Sequence, residues 1–202
     1  MKLREMDKLT DHLDKYFQQT DCMVLHPQAV NPHIDILIYE PNDVYPYWKL
    51  VTMGASDYRM PTPPYPSLGN RNEYMMFISP DVDLNDADIR GTFADYLAEV
   101  AFYPIMNDCF ISYGHSIEWV PNDEDEMVGA FIEMPQIIED SGVLRCKLGL
   151  FKTVTCLQVV LLTRSEINNL REIGPEAFSN YLYPDNDEPC HFICELQRSE
   201  KF

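Results

Sequence analysis

Three isoleucines at alternate positions, Ile34, Ile36 and Ile38, lie on one side of an extended segment whose other side carries Asp35 and Leu37. A period of two turns successive side chains to opposite faces, so residues 33–39 form a strand. Glu40-Pro41-Asn42-Asp43 follows with turn chemistry, and residues 47–53 make a second apolar strand that pairs with the first as a hairpin. This second strand runs directly into Thr52-Met53-Gly54-Ala55-Ser56-Asp57, a loop closed by Pro61. Gly54 permits a positive φ where the strand ends. Ser56 and Asp57 can accept hydrogen bonds from nearby backbone N–H groups and hold the loop in one shape.

Around this hairpin the chain alternates helices and strands. Met6, Leu9, Leu13, Tyr16 and Phe17 share one helical face, with Asp7, Asp11, Asp14 and Lys15 opposite. A short strand follows at 22–25. The four prolines of segment 60–70 forbid a regular element there. A strand at 72–78 precedes a second helix, carried by Ile89, Phe93, Tyr96, Leu97 and Val100 and expected to stop at Pro104. Strands are expected at 112–119, 127–134, 144–150 and 154–162, and a final edge strand at 190–196. Thr163 and Glu166 have capping-box spacing, announcing a helix through Arg171 that ends near Gly174. Pro175 restarts a short helix to about Leu182. The order predicts a single α+β domain over residues 1–202, with a mainly antiparallel, mixed sheet packed by several helices.

Thirty-three acidic residues against fifteen basic ones leave a net charge of −18. Such a surface repels phosphate backbones and anionic lipids, which argues against nucleic-acid and membrane binding and for a basic protein partner. No apolar run approaches the roughly 20 residues of a membrane span, and the charged N-terminal segment does not resemble a signal peptide, so a cytoplasmic protein is expected. Its six cysteines then read as reduced thiols. The acids Asp123, Glu124, Asp125 and Glu126 fall in one expected surface turn, and Asp185, Asp187 and Glu188 in another. Both segments are candidates for steering a basic partner.

Metal and catalytic patterns are incomplete. Asp81 to Asp88 places oxygens like a calcium loop, but Asp86 stands where glycine is needed and Thr92 where a bidentate Glu belongs. Helix capping explains these acids better. Cys190, His191 and Cys194 lack a second pair at zinc-finger spacing. His33 and Asp35 alternate on one strand face and could join a site only after folding. No Gly-x-Ser-x-Gly elbow surrounds Ser56, His115 reads as a structural histidine, and phosphate-binding glycine loops are absent. No cofactor is expected.

The positions His33, Asp35, Pro41, Tyr47, Leu50, Thr52, Gly54, Ser56, Asp57, Pro61 and Glu73 together resemble the pattern of the Suppressor of Fused domain family. Met53 stands where a small polar residue is common, and Ala55 where methionine is common. The resemblance implies a Suppressor of Fused-like fold that binds proteins rather than catalyses a reaction. It also implies that the motif residues are structural or form a partner-binding rim. Animal members add a C-terminal domain and sequester transcription factors in the Hedgehog pathway. Single-domain members resemble bacterial proteins inferred to be immunity proteins encoded beside toxin genes. The expectation is therefore an immunity protein that binds a basic toxin domain. The alternatives are a regulator that sequesters a transcription factor or another host or self protein, and a hydrolase whose cleft is assembled from His33, Asp35, Ser56, Asp57 or His115.

Overall fold

The isoleucine alternation becomes β2 (Asp35–Tyr39), flanked by β1 (Met23–Leu25) and β3 (Trp48–Met53) in the computed structural model. Residues 1–26, 32–61, 69–119, 126–182 and 191–197 are described. The register Asp35↔Met53 through Tyr39↔Lys49 makes β2 and β3 the expected antiparallel hairpin. Asn42 shapes its connection: the side-chain oxygen accepts from the N–H groups of Val44 and Tyr45, and the amide donates to the Phe17 carbonyl.

Further strands are β4 (Asn72–Ile78), β5 (Ser116–Glu118), β6 (Met127–Glu133), β7 (Arg145–Lys147) and β8 (Thr153–Thr163). They form one eight-stranded sheet in the order β1-β2-β3-β4-β8-β6-β5, with β7 beside β8. Among the described strands the β4–β8 pairing alone is parallel; β8 is antiparallel to β6 and β7. At Gly129, next to an irregularity in the β6–β8 register, an added Cβ would stand 2.4 Å from the Ile117 carbonyl. The close approach of the paired β5 backbone leaves no room for a side chain there.

Both faces of the sheet are covered. On one, Ile34, Ile36, Ile38, Leu50 and Met76 meet Phe93, Ala94, Leu97, Val100 and Ala101 of α2 (Ala87–Asn107). On the other, Leu37, Tyr39, Val51 and Phe77 receive Leu9, Leu13 and Phe17 of α1 (Leu3–Phe17). Phe131, Val160 and Leu162 pack against α3 (Arg164–Ile173) and α4 (Pro175–Leu182). Lys49 shares the α1 face. It is fully buried, its ammonium donates to the carbonyls of Glu40 and Tyr45, and burial pushes it down to about 8.

Several expected boundaries change: the strands expected at 112–119 and 144–150 shorten to β5 and β7, with a 3-10 turn at Ser141–Leu144 before β7. α2 continues through Pro104 to Asn107. Proline forfeits one intrahelical bond, but its ring is buried in the core, and Asp108 in a left-handed conformation closes the last turn onto the Pro104 carbonyl. The expected strand at 190–196 reduces, among the described residues, to a single parallel bridge between Ile78 and Cys194. Its chain is fastened instead by the buried Gln158 amide, which donates to the Phe192 carbonyl at 2.8 Å.

Candidate functional site

β3 ends where the Thr52-x-Gly54-x-Ser56-Asp57 segment turns into a short 3-10 turn, Ala55–Asp57. Beneath it, on the neighbouring β4, lies the fully buried carboxylate of Glu73. Thr52 Oγ1 donates to Oε2 at 2.7 Å, and the N–H groups of Gly54, Ala55 and Ser56 donate at 3.0, 3.2 and 3.0 Å. Thr52 Oγ1 in turn accepts from the Tyr74 N–H at 2.8 Å. A carboxylate offers about four acceptor directions, and these donors occupy them. Burial pushes the Glu73 carboxyl up, while the Ser56 and Thr52 hydroxyls and the N–H groups of Ser56 and Gly54 pull the other way.

The loop is therefore held by Glu73 rather than by acceptance at the Ser56 and Asp57 side chains. Gly54 has φ +125°, and a Cβ there would lie 2.5 Å from the His33 carbonyl, so glycine is required by both backbone conformation and close approach. Arg71 Nη1 donates to the Ser56 and Asp57 carbonyls at 2.6 and 2.9 Å, closing the turn from β4's side. The Asp57 carboxylate faces outward to Lys152 at 2.7 Å and to the amino group of Met1. Burial raises the Asp57 carboxyl, but the Lys152 ammonium and the amino terminus outweigh it and hold it below the usual range. Lys152 also reaches Glu5 at 3.2 Å, so this ion-pair group joins α1, the loop and the start of β8.

At the same end of the hairpin, where its register pairs it with Met53, Asp35 opens β2 with its carboxylate largely buried. His33 Nε2 and His26 Nδ1 each stand 2.7 Å from the same oxygen, Asp35 Oδ1. The two imidazoles are stacked, with centroids 6.0 Å apart. Tyr47 is half-buried against the α1-side core, and Pro61 is exposed.

The chain matches the model of the family described as Suppressor of fused protein (SUFU) over residues 30–193. The chain belongs to the Suppressor of Fused family. Its fold is similar to that of a SUFU homolog from Neisseria gonorrhoeae FA 1090, with a TM-score of 0.67 at 12% identity, covering 98% of this chain and 97% of that one. It is also similar to a structure described as the Sufu–Fu complex, with a TM-score of 0.62 at 14% identity, covering 90% and 84%. Drosophila Suppressor of Fused gives a TM-score of 0.60 at 17% identity, covering 90% of this chain but 47% of that one. Among curated proteins no sequence matches the chain.

In this Suppressor of Fused domain the motif residues fall into separate networks. Thr52, Gly54 and Ser56 gather on Glu73, Asp57 turns to Lys152, and His33 joins Asp35 with His26. His115 belongs to none of them, since its Nδ1 lies 3.0 Å from the Ser112 carbonyl and its ring stands edge-on to Phe110. The hydrolase alternative needs these groups in one cleft, and Ser56 is fully buried. Asp86 caps α2, its carboxylate accepting from the N–H groups of Asp88 and Ile89. Of the candidate steering acids, Glu126 is exposed just before β6, whereas Asp123, Glu124, Asp125, Asp185, Asp187 and Glu188 lie outside the described residues, as does Cys190.

Sequence reasoning missed His26, Lys152 and Arg71 as partners of the motif. For His26 the signal was latent in the hairpin register: pairing Leu25 with Ile36 sets residue 26 opposite residue 35. Lys152 and Arg71 carry no such signal, because they meet the loop only through tertiary packing.

Proposed function

We propose that this chain is a protein-binding module that neutralises a cognate bacterial toxin by direct contact in the cytoplasm, without catalysis and with no cofactor needed for that contact. The observation that carries the reading is the net charge of −18 on a chain of 202 residues. An acidic surface accelerates encounter with a basic protein and disfavours nucleic acid and anionic lipid. A basic toxin domain, such as a nuclease, is the partner this charge fits. The arrangement of the motif supports the reading as well. Glu73 spends its acceptor capacity on its own loop, which favours a rigid rim over a reactive centre. Among the described residues no helix is long and apolar enough to cross a membrane.

A second reading, sequestration of a transcription factor or another host or self protein, draws on the likeness to the Sufu–Fu complex. Co-expression with the toxin domain encoded beside its gene separates the two. Rescue of growth together with stoichiometric co-purification supports neutralisation. Co-purification without rescue favours sequestration. Failure of the two proteins to bind removes the immunity reading.

A further inference from the structure

His26, His33 and Asp35 offer three ligand atoms that lie within 4.8 Å of one another. We propose that they form a binding site for one divalent transition-metal ion of the zinc type, held by His26 Nδ1, His33 Nε2 and the Asp35 carboxylate. The hairpin builds it. The β1–β2 register sets the end of β1 opposite the start of β2, and alternation along 33–35 turns His33 and Asp35 to the same side. Gly54 packs against the His33 carbonyl from the adjoining loop, fixing the backbone that carries the imidazole.

The ligand chemistry selects the metal. Two imidazoles and a carboxylate suit zinc, nickel, cobalt or copper, whereas calcium and magnesium prefer an all-oxygen shell. A tetrahedral zinc with bonds of about 2.0–2.1 Å separates its ligand atoms by about 3.3 Å. The imidazole nitrogens already stand 2.7 Å from Asp35 Oδ1, so small side-chain rotations open the required space. The two histidines have that freedom, with side chains 66% and 56% exposed, while Asp35 is anchored at 6%. Three protein ligands leave a further position for water, the arrangement of an open site.

Proton placement is consistent. His26 Nδ1 and His33 Nε2 are the ring nitrogens that face the carboxylate. On metal binding each imidazole carries its proton on the other ring nitrogen and offers the freed lone pair to the ion. The overall charge of −18 further raises the local cation concentration. The site is independent of the immunity reading, because it needs only the hairpin.

Calorimetric titration of the full chain with Zn²⁺ alone tests it, with Co²⁺ as a spectroscopic substitute and His-selective ¹⁵N NMR to report the ring nitrogens. The expected result is one ion per chain, with the His26 Nδ1 and His33 Nε2 resonances shifting. H26A and H33A should each weaken binding by at least about tenfold, the scale on which even outer-shell changes act. Both variants should keep the wild-type circular dichroism, since the altered side chains are exposed. H26Q and H33Q replace either alanine variant that fails to fold. No stoichiometric binding to the wild type, or wild-type affinity in the histidine variants, would overturn the site. So would thiolate charge-transfer absorption with Co²⁺, which would place the ion at cysteine.

Discussion

Glu73 and Lys49 are both fully buried, and each has a different way of surviving without a counter-ion. Glu73 is surrounded by donors from Thr52, Gly54, Ala55 and Ser56, so the loop folds around its charge. Glu73→Gln keeps the shape but turns an amide NH₂ toward N–H and O–H groups. Urea denaturation should show a loss of about 2–4 kcal/mol, the scale for stranding buried polar partners. Among the described residues Lys49 has the carbonyls of Glu40 and Tyr45 as acceptors, and burial lowers it from 10.5 to about 8. A base whose folded value is depressed destabilises the fold while both states are charged. The destabilisation due to Lys49 should therefore lessen as pH increases from about 8 to 10.5. Lys49→Met should be more stable at pH 7 by about 1–3 kcal/mol. Its advantage should shrink across that alkaline window, because the wild type gains what the variant lacks. Parallel denaturation curves at pH 7 and above pH 10 check the sign.

At the scale of elements, local rules and tertiary contacts can be separated. The capping box of α3 forms as its sequence announces, with Thr163 N–H donating to Glu166 at 2.8 Å and the Thr163 hydroxyl accepting in return. Thr163→Ala should cost about 1 kcal/mol in chemical denaturation, and restoring an acceptor with Thr163→Ser should recover most of it. Capping is legible because its partners lie three residues apart. The end of α2 was not, because Pro104 stops a helix only when nothing else compensates. Burial of its ring in the core and closure by Asp108 keep the last turn in place. The edge strand expected at 190–196 failed for the converse reason. Its apolar residues satisfy a strand pattern, but the described backbone meets β4 at a single bridge, while Phe192 and Cys194 pack into the core and Gln158 holds the Phe192 carbonyl.

For the whole molecule, charge and fold act at different ranges. Folding depends on contacts a few ångströms long, whereas the field of 33 acids and 15 bases extends over the Debye length, about 8 Å at 0.15 M salt. Neutralising Asp123, Glu124, Asp125 and Glu126 together should slow association with a basic toxin domain, more at low salt than at high salt. Thermal stability should change little, since charges in an expected surface turn contribute little to folding. Stopped-flow kinetics at several salt concentrations checks this, and a rate indifferent to both charge and salt would leave acidity as a solubility feature.

The sequence by itself determined the hairpin, the order of strands and helices, the α3 cap and the family pattern from His33 to Glu73. The strands, helices and cap are written in spacings of two, three or four residues, the reach of backbone geometry, and the family pattern in the order of its residues along the chain. Only the tertiary structure decided what those residues touch. It drew Glu73 beneath the loop, sent Asp57 to Lys152 across 95 positions, and set His26 against Asp35. The physical reason is that a side chain finds its partner through strand register and core packing, which join segments distant in the chain, and neither spacing nor composition carries that information.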